Sequence, residues 1–131
     1  MRSASVHLAL ASDARAPAVA RSCIAEALRA WSLDELGDDC QLATSELVTN
    51  AVLHGLPPVE LRLTAHDDIL ELSVSDGDRL ALRAVEVDDA AEGGRGLVLV
   101  RAVTDELHVE SAPVVGKRLV ARWWLPRPRR S

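Results

Sequence analysis

A chain of 131 residues is long enough for one domain that buries roughly two-thirds of the surface its unfolded form exposes. Hydrophobic residues make up 48% and charged residues 27%, which excludes a chain disordered by composition, and no apolar run approaches the ~20 residues of a membrane span. The formal net charge of −5 opposes direct nucleic-acid binding, although Arg127, Arg129 and Arg130 make a locally basic, mobile tail of residues 127–131.

Met1-Arg2-Ser3 does not open a signal peptide with a long apolar centre, so a cytoplasmic protein without membrane contact is expected. Cys23 and Cys40 lie on separate helical segments without the spacing of a metal knuckle, and are expected to be buried thiols.

Val6, Leu8 and Leu10 alternate with Ser5, His7 and Ala9, the period of a half-buried strand. Pro17 suits the first turn of a helix in which Val19, Cys23, Ala27 and Trp31 recur at helical spacing, with Ile24 and Leu28 widening the stripe. Leu33 to Gly37 reads as a connection. Asp38 and Asp39 then supply the acidic first turn of a second helix, which Gly55 and Pro57-Pro58 end. Val59, Leu61 and Leu63 alternate, Asp67-Asp68 mark a turn, and Leu70, Leu72 and Val74 alternate again as the second strand of a hairpin. Asp78 to Glu92 has no clean period and reads as a lid, with a short strand around Leu80–Val85. Gly93-Gly94-Arg95-Gly96 opens a helix that continues through Leu97 to Val103. Leu107 and Val109 begin another strand, Pro113 to Gly116 turn, and Arg118 to Leu125 form the last strand. Strand alternation predicts that Trp123 is buried and Trp124 is not.

Three places carry groups beyond what a core needs. In Glu46-Leu47-Val48-Thr49-Asn50-Ala51-Val52-Leu53-His54-Gly55, Glu46 and Asn50 share one side of the helix. At about 100° per residue, Ala43, Leu47 and Ala51 form an apolar stripe beginning roughly 60° round, so the polar pair borders a buried face. A carboxylate there costs free energy unless it is paired, solvated or used chemically. Continuing the phase of Leu70, Leu72 and Val74 places Asp76 inward, where its carboxylate can accept a hydrogen bond from a ligand amino group; read alone, Asp76-Gly77 is a turn. The glycines before Leu97 leave helix-opening N–H groups free for phosphates, and Arg95 can add a charge-assisted contact. Neither a Rossmann fingerprint nor a Walker loop is present.

In order, a helix with Glu46 and Asn50, a hairpin ending in Asp76, a lid, and Gly94-Arg95-Gly96-Leu97 resemble the GHKL ATPases, and within them the small anti-sigma-factor serine kinases of the RsbW-like branch. The resemblance runs from about Leu42 to Leu125. It implies an α+β fold, a two-layer sandwich with a mixed, mainly antiparallel sheet and helices on one face. It also implies ATP and Mg²⁺ as cofactors. Asn50 would ligate Mg²⁺ through its side-chain oxygen, and Glu46 would be the general base. Asp76 would take the adenine amino group beside Gly77, and Gly94, Arg95, Gly96 and Leu97 would hold phosphates. His54 matches a position often histidine in this branch and is expected to pack at the helix end.

Two segments depart from the pattern. Asp76-Gly77-Asp78 places a second acid where the family reads Asp-x-Gly, and Gly116-Lys117-Arg118 stands where the family commonly has Gly-Thr. The function implied is an ATP-dependent protein serine kinase acting on an anti-sigma-factor antagonist, with a sigma factor as a further partner and a homodimer left open. The rivals are a regulatory module that binds nucleotide or partner without phosphotransfer, and a stand-alone ATPase.

Overall fold

A computed structural model describes residues 3–78, 94–112 and 116–125. Beyond Asp78, the expected lid lies outside the described residues, as do the short strand at Leu80–Val85, the turn from Pro113 to Val115 and the basic tail.

The chain begins with strand β1 (Ser3–Leu10) and helix α1 (Ala16–Ala30). A single 3-10 turn over Asp34–Leu36 leads into α2 (Gly37–His54), so the connection expected from Leu33 to Gly37 instead runs from Trp31 to Leu36 and part of it is wound. Strands β2 (Val59–His66) and β3 (Ile69–Asp76) form the hairpin, followed by α3 (Gly94–Val103), β4 (Glu106–Ala112) and β5 (Gly116–Trp124).

The two-residue turn of the hairpin has Asp67 at φ 51°, a left-handed conformation that aspartate tolerates better than most residues. Pairing of Leu63 with Leu72 and of Leu61 with Val74 keeps both apolar rows on one face.

The sheet order is β1-β2-β3-β5-β4, and each described pairing is antiparallel. The α+β sandwich is therefore present, with a sheet that is antiparallel throughout its described strands. The chain passes over β5 between β3 and β4 and returns to fill the gap, which leaves β1 and β4 at the edges.

The core is nearly all aliphatic. Ala20, Ile24 and Leu28 of α1 meet Ala43, Leu47 and Ala51 of α2 above Leu61, Leu63, Leu70 and Leu72 of the sheet, and Leu97 and Val100 bring α3 into the same layer. Full burial of a leucine or isoleucine side chain contributes roughly 1.5–3 kcal/mol, so these residues set the height at which α2 and α3 lie over the sheet. Trp123 is buried at 3% exposure and Trp124 is 52% exposed, as strand alternation requires. The Trp123 indole Nε1–H donates to the Val103 carbonyl at 2.7 Å, tying the end of α3 to β5. Cys40 is buried, whereas Cys23 is only half-buried, because it lies beside rather than on the line of Ala20, Ile24 and Ala27.

Candidate functional site

Helix α2 presents Glu46 and Asn50 at the border of its buried stripe; both are half-buried, while Ala43, Leu47 and Val48 are fully covered. Core packing of Leu47 fixes the rotation of the helix and so the direction of its two polar neighbours. The Glu46 carboxylate rests against the first turn of α3: a Cβ added at Gly96 would lie 2.6 Å from Glu46 Oε2. Glycine at this position therefore lets α3 approach the carboxylate. Among the described residues, the Glu46 carboxylate has neither a hydrogen-bond nor an ion-pair partner.

The glycines Gly94 and Gly96 belong to the helix itself, which begins at Gly94. The first turn of any helix leaves backbone N–H groups without intrahelical acceptors. Leu97, the last residue expected to hold phosphate, is 4% exposed and packs its side chain into the core, so only its backbone is available there. The Arg95 side chain lies outside the described part of the structure.

Asp76 ends β3 on the inward face and is 1% exposed. Its Oδ1 accepts the Asp78 backbone N–H at 2.7 Å, closing a local turn. The bland aspartate-turn role and the inward orientation therefore coexist. Gly55 presses on the other side: a Cβ there would overlap Asp76 Cγ and Oδ2 and stand 2.7 Å from the Ala51 carbonyl. Gly55 has φ −102°, which other residues also adopt, so contact with Asp76 is what calls for glycine. Gly77 donates its N–H to the Leu56 carbonyl at 2.6 Å, joining the end of β3 to the segment after α2.

One site residue entered the sequence reading only as a departure from the family pattern, with no role of its own. Lys117 is the sole lysine of the chain, and it is 2% exposed. In the β3–β5 register it is the Cα partner of Asp76, so both side chains leave the sheet on the same face. Its Nζ lies 3.5 Å from Asp76 Oδ2 and 3.5 Å from Asn50 Oδ1. Both contacts are long for N–H···O hydrogen bonds. Their effect is nonetheless definite, because a buried ammonium requires negative or dipolar neighbours. The signal was present in the sequence: Leu119, Ala121 and Trp123 set the inward phase of β5, and two residues back along it lies Lys117. Just before it, Gly116 at φ 102° allows the strand to start against the Asp76 carbonyl, 2.9 Å from where a Cβ would be.

The structure thus brings Asn50, Asp76, Gly55 and Lys117 into one cluster, and Glu46 and Gly96 into another, with α2 carrying a member of each. Among the described residues no three His, Cys, Asp or Glu side chains are placed to hold a metal ion. A single side-chain oxygen such as Asn50 Oδ1 fits Mg²⁺, which commonly takes one or two protein oxygens and completes its shell with phosphates and water. The open N–H groups in the first turn of α3 and the buried acceptor of Asp76 likewise fit a phosphorylated ligand with an amino group, and the Glu46 carboxylate, unpaired among the described residues, stands beside that turn as a proton acceptor. No helix among the described residues is long and apolar enough to cross a membrane.

The chain has relatives among known proteins. Residues 10–123 match the family model described as histidine kinase-like ATPase domain, and the chain belongs to that family. It is 33% identical to the serine-protein kinase RsbW of Bacillus licheniformis across 61% of this chain and 60% of that protein. It is 32% identical to the serine-protein kinase RsbW of Bacillus subtilis across 62% of this chain and 61% of that protein. The chain therefore spans about three-fifths of the length of these relatives.

Proposed function

We propose that the chain is an ATP-binding regulator that works as a protein serine kinase, transferring the terminal phosphoryl group of Mg-ATP to an antagonist of an anti-sigma factor. The observation that carries this reading is the position of Glu46. Its carboxylate is half-buried, unpaired among the described residues and set against the first turn of α3, on the same helix as Asn50. In this reading, the phosphates meet the N–H groups of Gly94 to Leu97, Asn50 Oδ1 holds Mg²⁺, and Asp76 accepts from the base amino group. When bound, Mg²⁺ supplies charge neutralisation at the phosphates. Glu46 takes the proton of an incoming serine hydroxyl as its oxygen bonds to phosphorus and the bond to the leaving diphosphate breaks.

The family match and the likeness to the two RsbW kinases support the kinase reading. The partners, an anti-sigma-factor antagonist as acceptor and a sigma factor as a second ligand, follow from that likeness. We place the activity in a single cytoplasmic domain.

Glu46→Gln tests the chemistry. Retained ATP binding with phosphotransfer lowered roughly 10²-fold or more is expected of a lost general base. An unchanged transfer rate would remove Glu46 from that role.

A second reading, a regulatory module that binds nucleotide or partner without transferring phosphate, is favoured by one feature, the Lys117 ammonium at both Asn50 and Asp76. It predicts ATP binding with no phosphoprotein product. Steady phosphate release without a protein acceptor would instead identify a stand-alone ATPase.

A further inference from the structure

We propose that Lys117 is a tethered competitor of Mg-nucleotide, an internal cation that must leave Asn50 and Asp76 before the ligand can use them. The inference rests on the nucleotide reading above and concerns the affinity of that same site.

Its basis is that one ammonium serves two groups with different assignments. Asp76 is the acceptor expected for a base amino group; its Oδ1 is taken by the Asp78 N–H, and Lys117 Nζ already lies 3.5 Å from its Oδ2. Asn50 Oδ1 is the oxygen expected for a divalent cation, and the same Nζ lies 3.5 Å from that atom. An ammonium has three donors and no acceptor, so it cannot hydrogen-bond to an incoming amino group. It also repels a second cation brought to the same oxygen. Both halves of a Mg-nucleotide are thus opposed by one charge. Asp76 has little freedom to turn away, since Oδ1 is held by the Asp78 N–H and Gly55 closes on Cγ and Oδ2.

Two features make this ammonium displaceable. Both its contacts are long, so leaving them gives up little hydrogen bonding. The lysine stem is unbranched and rotatable, so the charge can swing while the strand that carries it stays paired to β3. Once displaced, the ammonium is a cation beside an anionic ligand, free to settle on it. The outcome is a site closed by its own side chain at low nucleotide concentration.

Calorimetric titration of Mg-ATP into the wild-type chain, Lys117→Thr and Lys117→Arg tests this, with circular dichroism verifying that each variant is folded. Threonine removes the charge and most of the volume and is expected to tighten Mg-ATP binding about tenfold or more. Arginine keeps the cation and is expected to give no gain. The sole lysine offers a test that needs no variant: with isotope-labelled lysine, the side-chain resonance belongs to Lys117 alone. It should shift on saturation with Mg-ATP as the ammonium leaves Asp76. Unchanged or weaker binding in Lys117→Thr, or a resonance that saturating Mg-ATP leaves in place, overturns the competitor role while leaving the nucleotide site standing. Absence of Mg-ATP binding by both wild type and a folded Lys117→Thr overturns the nucleotide reading together with it.

Discussion

Gly55 and Gly96 are both crowded by a carboxylate, and the two carboxylates differ in their freedom to move. Asp76, against Gly55, is buried and held by the Asp78 N–H, and the Ala51 carbonyl closes the other side. Gly55→Ala therefore has nowhere to put its methyl group and is expected to lose about 1–3 kcal/mol in urea unfolding, the usual range for overpacking. Glu46, against Gly96, meets the new methyl only with the far end of a half-buried side chain. That end can rotate away, and alanine favours a helix over glycine by roughly 1 kcal/mol. Gly96→Ala should thus unfold no more easily than wild type, while the proposed phosphotransfer falls about tenfold or more because the carboxylate proposed as its base is displaced. Parallel loss of stability and transfer in Gly96→Ala would contradict this separation. Cys40 gives a pH-dependent counterpart: burial pushes its thiol up to about 12, outweighing the Thr44 hydrogen bond that lowers it. The folded chain then keeps the proton after the unfolded chain has lost it, so stability declines as pH rises from about 9 toward 12. Each pH unit in that window removes roughly 1.4 kcal/mol. Comparing urea unfolding at several alkaline pH values should show a shallower decline in Cys40→Ala than in wild type.

At the scale of elements, α2 begins with a glycine of a different kind. Gly37 has helical angles, φ −56° and ψ −51°, and a Cβ there would meet nothing within 4 Å. Gly37→Ala should raise stability by about 0.4–1 kcal/mol, chiefly by restricting the unfolded chain, with ATP affinity unchanged; thermal unfolding measures the gain. Sequence spacing made the elements legible where periodicity is strong: the stripe of α2, the alternation of β2 and β3, and the choice of Trp123 over Trp124. The inward turn of Asp76 came from the same rule. Lys117 obeys it too, yet a lone lysine ordinarily belongs on a surface, since lysine is almost never fully buried unless paired. Its place near Asp76 followed from the family resemblance, but its contact with both Asp76 and Asn50 is fixed by the β3–β5 register and by the height of α2, long-range facts that no local pattern carries. Gly55 was legible as a helix stop, but the contact that requires glycine comes from a strand further along the chain. Cys23 was expected to be buried and is half-buried, because helical spacing defines a face without fixing its edge.

Across the whole molecule, the candidate site is assembled from element ends: the last turns of α2, the end of β3, the start of β5 and the first turn of α3. These ends come together only when the sheet is paired and both helices lie on its inner face, so the proposed ligand site exists only in the folded chain. A ligand that binds the folded form alone stabilises it by about 2.7 kcal/mol at one hundred times its dissociation constant. For a chain of this size, about 3 °C of midpoint shift per kcal/mol is reasonable, which gives roughly 8 °C. Mg-ATP should therefore raise the thermal midpoint of wild type by about that amount at saturation. Glu46→Gln should keep the shift, because the role proposed for Glu46 is confined to the proton of the acceptor. Asn50→Ala should lose the part of the shift that depends on Mg²⁺, measured as the difference between magnesium and chelator. Asp76→Ala should lose most of the shift in both conditions, because the base acceptor is gone. Equal shifts in Asn50→Ala and wild type would mean that the ligand is held elsewhere. A folded wild type whose midpoint does not move in millimolar Mg-ATP would show that these element ends meet for a purpose other than nucleotide binding.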